Sequence, residues 1–553
     1  MAEAGKKRTT QVGLGSWIPP RASFPDLLVV PGLLLLFVLA ARVPVMTPDV
    51  WWHLATGRLV AQEGIPESDP FSYTLAGVPW TAHEWASDLA LYGVYASAGL
   101  LGIVMLRAAL LVAAFGMATA AARLQAGPMQ ALAVLVPAAW ASQRNWLDRP
   151  QLVTYLFAAI LLWVLERQRL RPTRWIWALP PLFALWVNLH GGFFLGLGLL
   201  AVWALAELWA ARATPSAARP LVLVTCASLI ATLLNPHGWE GAIYPLRYVG
   251  AGLGASLQEE GAGRLDSVYA WLHFGLVTST LVLFLWRRKV PLAHVLLVCI
   301  LGWISMPRIA GVALPFAAER HAPLFLLVGT PILAWQIAAA CGNRRVRVPD
   351  SKLLRRLGIA AGALASVWLL ARLPRDPSPE ARLLPGRYPQ AAVSWYQSHP
   401  IPGPLINPYR WGGYLAFALY PGTKVWIDSR GDLYGSERLR EYEILHRASP
   451  GSDAAIAAVL ARYDANVIVW PLLTLDFGAL QVHPFSEYLL RSGGWRLVFY
   501  DRPDAAHPEH PSAVSAVFLR EHPRNAALLA RYAPVRLPAG LPRGTGQSRA
   551  NGR

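Results

Sequence analysis

The feature that most restricts this chain is its series of apolar stretches, such as Pro25–Met46, Gly191–Ala211 and His321–Cys341. Each approaches the ~20 apolar residues that carry a helix across a bilayer. Hydrocarbon offers no partner to backbone N–H and C=O groups, so stretches of this kind must become helices that satisfy their own backbone. Only 15% of the 553 residues are charged, whereas a soluble domain carries roughly 25%. The 24 tryptophans suit the membrane–water interface. The expected fold class is an all-α polytopic membrane domain followed by a small α/β domain outside the membrane. About eleven transmembrane helices are predicted, over 25–46, 86–122, 129–143, 151–166, 175–189, 192–211, 218–234, 267–286, 290–306, 321–341 and 356–373. The second run is too long for one straight crossing, and a surface helix followed by a span near 99–122 accounts for it.

Threading these spans alternately gathers most basic loop residues on one side. They are Lys6, Lys7, Arg8, Arg21, Arg123, Arg167, Arg169, Arg171, Arg174, Arg212, Arg219, Arg287, Arg288, Lys289, Arg344, Arg345, Arg347, Lys352, Arg355 and Arg356. The opposite loops hold Arg58, Arg144, Arg149, Arg247, Arg264, Arg308 and Arg320. The positive-inside rule makes the first side cytoplasmic. Residues 1–24 are therefore a cytoplasmic segment, 25–373 the membrane domain with a large outer loop at 47–83, and everything beyond about 374 is extracytoplasmic. The net charge of +18 follows from this topology and brings no aromatic–basic pattern for nucleic acid. Cys226, Cys299 and Cys341 show no metal-binding spacing. The first apolar run is longer than a signal-peptide core, and the motif directly after it favours a retained first helix.

Past Leu373 the chain turns polar and proline-rich, reading as a linker over 374–387. Helical and strand-like stretches then alternate through 388–523: AAVSWYQSH, PLIN, WGGYLAFAL, TKVWID, AAIAAVLARYD, NVIVW, GWRLVFYD and AVSAVFL. Such alternation implies an α/β domain, whose most pointed polar groups are Trp411 in RWGGY and Asp428 and Arg430 in DSRGD. Residues 524–553, rich in Arg, Gly, Pro and Ala, read as a disordered tail.

In the membrane domain the polar clusters all fall on the outer side, and polar groups beside hydrocarbon are costly unless they pair or work. Thr47-Pro48-Asp49 is a good helix start, from which an amphipathic helix would lie on the outer leaflet, with Asp49 and His53 sharing one face at i,i+4. Asp49 either complements the helix dipole or serves as general base or metal ligand. Asp69-Pro70 is equally a turn or a carboxylate site. His83-Glu84 closes the loop; Thr81-x-x-Glu84 is also a capping box, which would explain Glu84 structurally and leave His83 free. Arg149-Pro150-Gln151 opens the fourth span, where arginine either snorkels to the interface or grips phosphate bidentately. Asn188, His190, Asn235 and His237 stand at helix ends, where asparagine, glycine and proline are ordinary, and the histidines are candidate sugar or phosphate partners. Arg308, Arg320 and His321 add late cationic groups to the same face.

This layout resembles the integral-membrane (GT-C class) glycosyltransferases: an apolar first helix, an outer loop opening on an acid (PDVWWH), many spans, then an outer α/β domain. Protein O-mannosyltransferases, aminoarabinose transferases and oligosaccharyltransferase catalytic subunits belong to that class. The segment YRWGGYLAFALYPGTKVWIDSRGDLYG also looks like the opening of the oligosaccharyltransferase soluble domain, although the chain lacks the aspartate of that family's Trp-rich motif. The resemblance implies an enzyme of the cell (inner) membrane that moves a sugar from a polyprenyl-phosphate donor to an extracytoplasmic acceptor. Asp49, as base or as ligand to a divalent cation (Mg or Mn), and Glu84 would be catalytic. His53, Asp69, His83, Arg149, Gln151, Asn188, His190, His237, Arg308, Arg320, Trp411, Asp428 and Arg430 would bind substrate. The partners implied are the lipid-linked donor, the acceptor and the bilayer, without nucleic acid. A transporter or flippase of a lipid-linked or polymeric substrate, or an idle scaffold, are the rival readings. Outer-end polar groups without an internal repeat favour the enzyme over a transporter.

Overall fold

The structure is a computed structural model. It describes residues 28–210, 215–250, 267–287, 289–307, 318–341, 352–373, 383, 387–476, 479–501, 514–532 and 535. The amino-terminal part is helical: α1 (Val29–Arg42), α2 (Asp49–Glu63), α3 (Trp85–Ala122), α4 (Pro128–Ala141), α5 (Gln151–Leu170), α6 (Leu179–Leu189), α7 (Phe193–Ala210), α8 (Pro215–Ala231), α9 (Trp239–Gly250), α10 (Val268–Trp286), α11 (Leu292–Ser305), α12 (Ala322–Ala340) and α13 (Lys352–Ala371). At its centre stands α12, buried at every residue from Ala322 to Gln336. Its Trp335 indole donates to the carbonyls of Ala121 and Ala122 at the end of α3, at 3.1 and 3.0 Å.

The expected count of about eleven spans is corrected by the helices themselves. Among the described residues, four helices are long and apolar enough to cross a membrane: Trp85–Ala122, Phe193–Ala210, Val268–Trp286 and Glu319–Ala340. Others that the hydropathy pattern read as spans, such as Val29–Arg42, Pro128–Ala141 and Leu292–Ser305, are shorter. At ~1.5 Å per residue a helix of ~14 residues rises only about 21 Å, less than the ~30 Å hydrocarbon core. An apolar run counts residues, but proline and glycine decide how many of them one helix keeps. Within the run 25–46, α1 ends at Arg42 and extended chain follows at Val43. The break expected within the long second run falls at Gly99, whose φ of 58° interrupts α3.

The carboxy-terminal part contains α14 (Gln390–Ser398), β1 (Leu405–Ile406), α15 (Tyr409–Leu419), α16 (Gly431–Arg447), α17 (Asp453–Arg462), β2 (Val467–Pro471), β3 (Leu473–Asp476), β4 (Ala479–Val482), α18 (Pro484–Arg491), β5 (Trp495–Tyr500), β6 (Ser515–Arg520) and α19 (Ala526–Arg531). An open four-stranded sheet runs β1-β2-β6-β5, and β3 and β4 form a separate hairpin. The β1–β2 pair is parallel, whereas β6 runs antiparallel to both β2 and β5. Past β6, Asn525 and Arg524 bond back to Asn466.

Two expectations change because the loop between α2 and α3 joins this second part. TKVWID does not enter the sheet; Val425 pairs with the loop instead, its N–H donating to Phe71 O at 3.0 Å and its carbonyl accepting from Tyr73 N at 3.1 Å. Nor does α2 stand apart as an amphipathic surface helix. Val50, Trp51, His53, Leu54, Ala55, Thr56, Gly57 and Leu59 are all buried. One side of α2 meets α3 so closely that a Cβ on Gly57 would overlap the Asp88 carbonyl. The other meets α15, with Gly413 against Pro48 and Trp52 and Trp51 edge-on to Tyr414 at 4.8 Å.

Candidate active site

Two helices build the site. The start of α2 carries Asp49 and, one turn on, His53; the start of α5 follows Arg149 and carries Gln151, Thr154 and Tyr155. Asp49 Oδ2 and Arg149 Nε are 2.9 Å apart, both side chains being partly exposed, and the same Nε donates to Thr47 Oγ1 at 2.8 Å. Arg149 is aimed by its neighbour: Asp148 is buried and accepts two bonds of 2.9 Å from Arg107 of α3. Arg107 also donates to the Ala40 carbonyl at 2.8 Å, fastening the end of α1 to the same point.

One turn further along α2, at His53, begins a second cluster. Glu84 makes no capping bond; its carboxylate faces His83 Nε2 at 3.5 Å, His190 Nε2 at 3.6 Å and His53 Nδ1 at 3.9 Å. Burial works against its charge, but His190, His83 and His53 outweigh burial and hold Glu84 well below the ordinary carboxylate range. For His83, burial is overcome by Glu84 and Asp432, which raise its pKa. Burial pushes His190 down to about 4 despite Glu84. Its tautomer follows from its bonds: Nδ1 accepts from Gly192 N at 2.9 Å and from the Thr154 hydroxyl at 2.8 Å, because Thr154 Oγ1 itself accepts from Trp186. Neutral His190 therefore carries its proton on Nε2, toward Glu84. Gly192 is needed here, since a Cβ would overlap Thr154.

The two clusters are continuous. The charges of Arg149 and Arg320 both reach Tyr155, and that of Arg320 reaches His190. Tyr155 has a buried hydroxyl with no hydrogen-bond partner among the described residues, and Gln151 Nε2 is in the same state. Arg308 lies outside the described residues. Asn188 fastens helix ends, accepting from Trp85 Nε1 at 3.0 Å and donating to Leu234 O at 2.8 Å. His237 bonds the backbone of Ala82, next to His83. His83 stacks on Tyr244 of α9 at 4.2 Å, and the Tyr244 hydroxyl donates to Asp432, so the second part of the chain closes one wall.

Asp69, Asp428 and Arg430 meet elsewhere. Arg430 donates to Asp69 and to Asp428 at 2.7 Å each, lies over the Trp80 ring at 4.5 Å, and is buried with both carboxylates. Trp411 is buried too, its indole donating to Arg387 O at 3.1 Å. Sequence reading passed over Asp88, Thr154, Tyr155 and Tyr244. The signal for Asp88 was its place four residues after Glu84, a lone acid in an apolar helix.

No family model and no curated protein matches the chain. Solved structures do, at low identity. The archaeal oligosaccharyltransferase AglB from Archaeoglobus fulgidus, solved with an inhibitory peptide and a dolichol-phosphate, superposes with a TM-score of 0.53 at 10% identity, over 88% of this chain and 80% of that one. The apo form of the Archaeoglobus fulgidus enzyme gives 0.51 at 11% identity, over 88% and 81%. The mycobacterial arabinofuranosyltransferase AftD gives 0.54 at 15% identity, over 91% of this chain but 40% of that longer one. The fold is thus GT-C-like, in a membrane-associated chain, and likeness at this identity speaks for the fold alone.

Proposed function

We propose that the chain is a membrane glycosyltransferase that moves a sugar from a polyprenyl-phosphate donor to a hydroxyl acceptor, with its site on the extracytoplasmic side. The observation that carries this reading is the meeting of Asp49 with Arg149, one turn from the Glu84–histidine cluster. Arg149, with Arg320 nearby, supplies positive charge where the leaving phosphate develops negative charge, in a site poor in water. Asp49 takes the proton from the acceptor hydroxyl as its oxygen attacks the anomeric carbon. A single displacement inverts that carbon, since retention by a sugar–enzyme intermediate needs a second close nucleophilic carboxylate. His83, His190 and Gln151 line the sugar.

A divalent cation on Asp49 is a poor fit to these residues. Arg149 occupies one carboxylate oxygen, and among the described residues no group of three or more His, Cys, Asp or Glu is arranged to hold a metal ion. The test incubates purified protein with a panel of polyprenyl-phosphate sugars and follows sugar transfer or release. Asp49→Ala should abolish turnover, a loss of at least about 100-fold, while membrane insertion is unchanged; full activity in that variant removes Asp49 from the mechanism.

A further inference from the structure

Arg107 is 1% exposed within α3, a helix long and apolar enough to cross a membrane. A guanidinium in such a place is costly unless it pairs or works. The two arms of its fork serve two different segments of the chain. Nη2 donates to the carbonyls of Ala40, at 2.8 Å, and of Val43, which directly follows α1. Nη1 donates to both carboxylate oxygens of Asp148 at 2.9 Å and reaches the Pro44 carbonyl at 3.4 Å. Asp148 is itself 2% exposed. The first segment runs on through Pro44 to Thr47 and Asp49, and the second passes directly to Arg149. The two segments meet again where Arg149 Nε lies 2.8 Å from Thr47 Oγ1 and 2.9 Å from Asp49 Oδ2. Arg107 is thus the closed end of a bracket whose open end is the Asp49–Arg149 pair. Capping α1 accounts for only half of this. Helix-end carbonyls need donors, and Nη2 alone supplies them. The buried pair with Asp148 adds little net stability, because desolvation offsets the attraction, and the best-attested use of such pairs is to fix register.

We infer that Arg107 is a positioning residue for transfer, setting the register between the segment that carries Asp49 and the segment that carries Arg149. The inference deepens the transfer reading and rests on it. The base and the phosphate-binding cation stand at the two ends of one displacement. Their separation decides whether the acceptor oxygen, the anomeric carbon and the leaving oxygen fall in line. A misplacement of about 1 Å in such a geometry costs about 100-fold in rate. Donor binding is less sensitive to it, because His83 and His190 hold the sugar from other segments. Lysine cannot stand in for Arg107, since an ammonium is a single point of charge where the planar fork holds two arms at a fixed spacing.

The experiment measures kcat, donor KM and melting temperature for the full chain in detergent, with the polyprenyl-phosphate sugar that the wild type uses. Rates are expressed per molecule that binds donor, so that misfolded protein does not count as slow enzyme. Arg107→Lys, which keeps the charge and loses the fork, should lower kcat by about 10–100-fold and leave donor KM within about threefold. Combining Arg107→Met with Asp148→Leu removes both charges together, a replacement that protein interiors tolerate. That double variant should melt near the wild type and transfer no faster than Arg107→Lys. Wild-type kcat in the double variant overturns the inference, because the pair would then be packing alone. A raised donor KM at unchanged kcat overturns it too, by placing Arg107 in ground-state binding. Should either variant fail to give monodisperse protein, Asp148→Asn, which keeps one acceptor for Arg107, takes its place. A kcat equal to the wild type's then overturns the inference, and a fall at unchanged donor KM supports it. A wild type that transfers no sugar overturns the transfer reading together with the inference. A wild type that transfers, with Arg107→Lys its equal, overturns the inference alone.

Discussion

Glu84 satisfies a capping-box pattern in the sequence, yet its carboxylate turns into a ring of histidines. That choice sets the acid sensitivity of the site. His190 titrates at about 4 in the folded chain, against ~6.5 when unfolded, so the fold favours its neutral form. Its contribution is complete above the unfolded pKa and is lost as pH falls from about 6.5 to about 4, where the unfolded chain binds a proton that the folded chain refuses. The loss is on the order of 3 kcal/mol. Melting temperature in detergent should therefore drop across that window, and His190→Gln, which keeps a donor toward Glu84, should flatten the drop. An unchanged slope would mean that His190 is not held neutral. At this scale the sequence displays the residue types and the end of the bundle at which they stand. It does not display the pairings. Asp49 and His53 share a helical face by spacing, but Asp49 goes to Arg149 and His53 to Asp88, because partners are chosen where helices touch.

Helix contacts of this kind depend on a few small residues. Gly57 lets α2 approach Asp88, while Gly116 in α3 has only Leu33 near the place a Cβ would take, at 3.9 Å. Gly57→Ala should cost about 1–3 kcal/mol or more by overpacking. Gly116→Ala should be neutral or stabilising by up to ~1 kcal/mol, as a helix gains when glycine is replaced. Thermal denaturation of the two variants side by side checks this, and equal effects would show that the α2–α3 approach is not tight. Periodicity and apolar runs located helices at this scale, including the break in α3. They overstated how many cross the membrane, because hydropathy sums a run without registering where the backbone leaves the helix, as it does at Val43.

For the whole molecule, the division into a helical part and a mixed α/β part is legible in the sequence, but the stitching between them is not. Phe71, Leu75 and Trp80 belong by sequence to the loop between α2 and α3, yet they are buried in the cores of the second part. Thr74 and Tyr73 donate to the carbonyls of Trp426 and Leu405, and Asp69 completes the buried Arg430 site. Nothing in local patterning announces a contact between residues more than 300 positions apart. Each of those three apolar side chains is worth about 1.5–3 kcal/mol when buried. Domains of this size have only ~5–15 kcal/mol in total. Losing the loop should therefore remove most of the stability of the second part, and it also strands Arg430 with one carboxylate where the fold provides two. A fragment of residues 388–532 expressed alone should show no cooperative thermal transition and little dispersion in its amide NMR spectrum. The same fragment fused through a flexible linker to residues 64–84 should recover both. If the bare fragment melts cooperatively at the temperature of the fused one, the loop is a passenger on a self-sufficient domain.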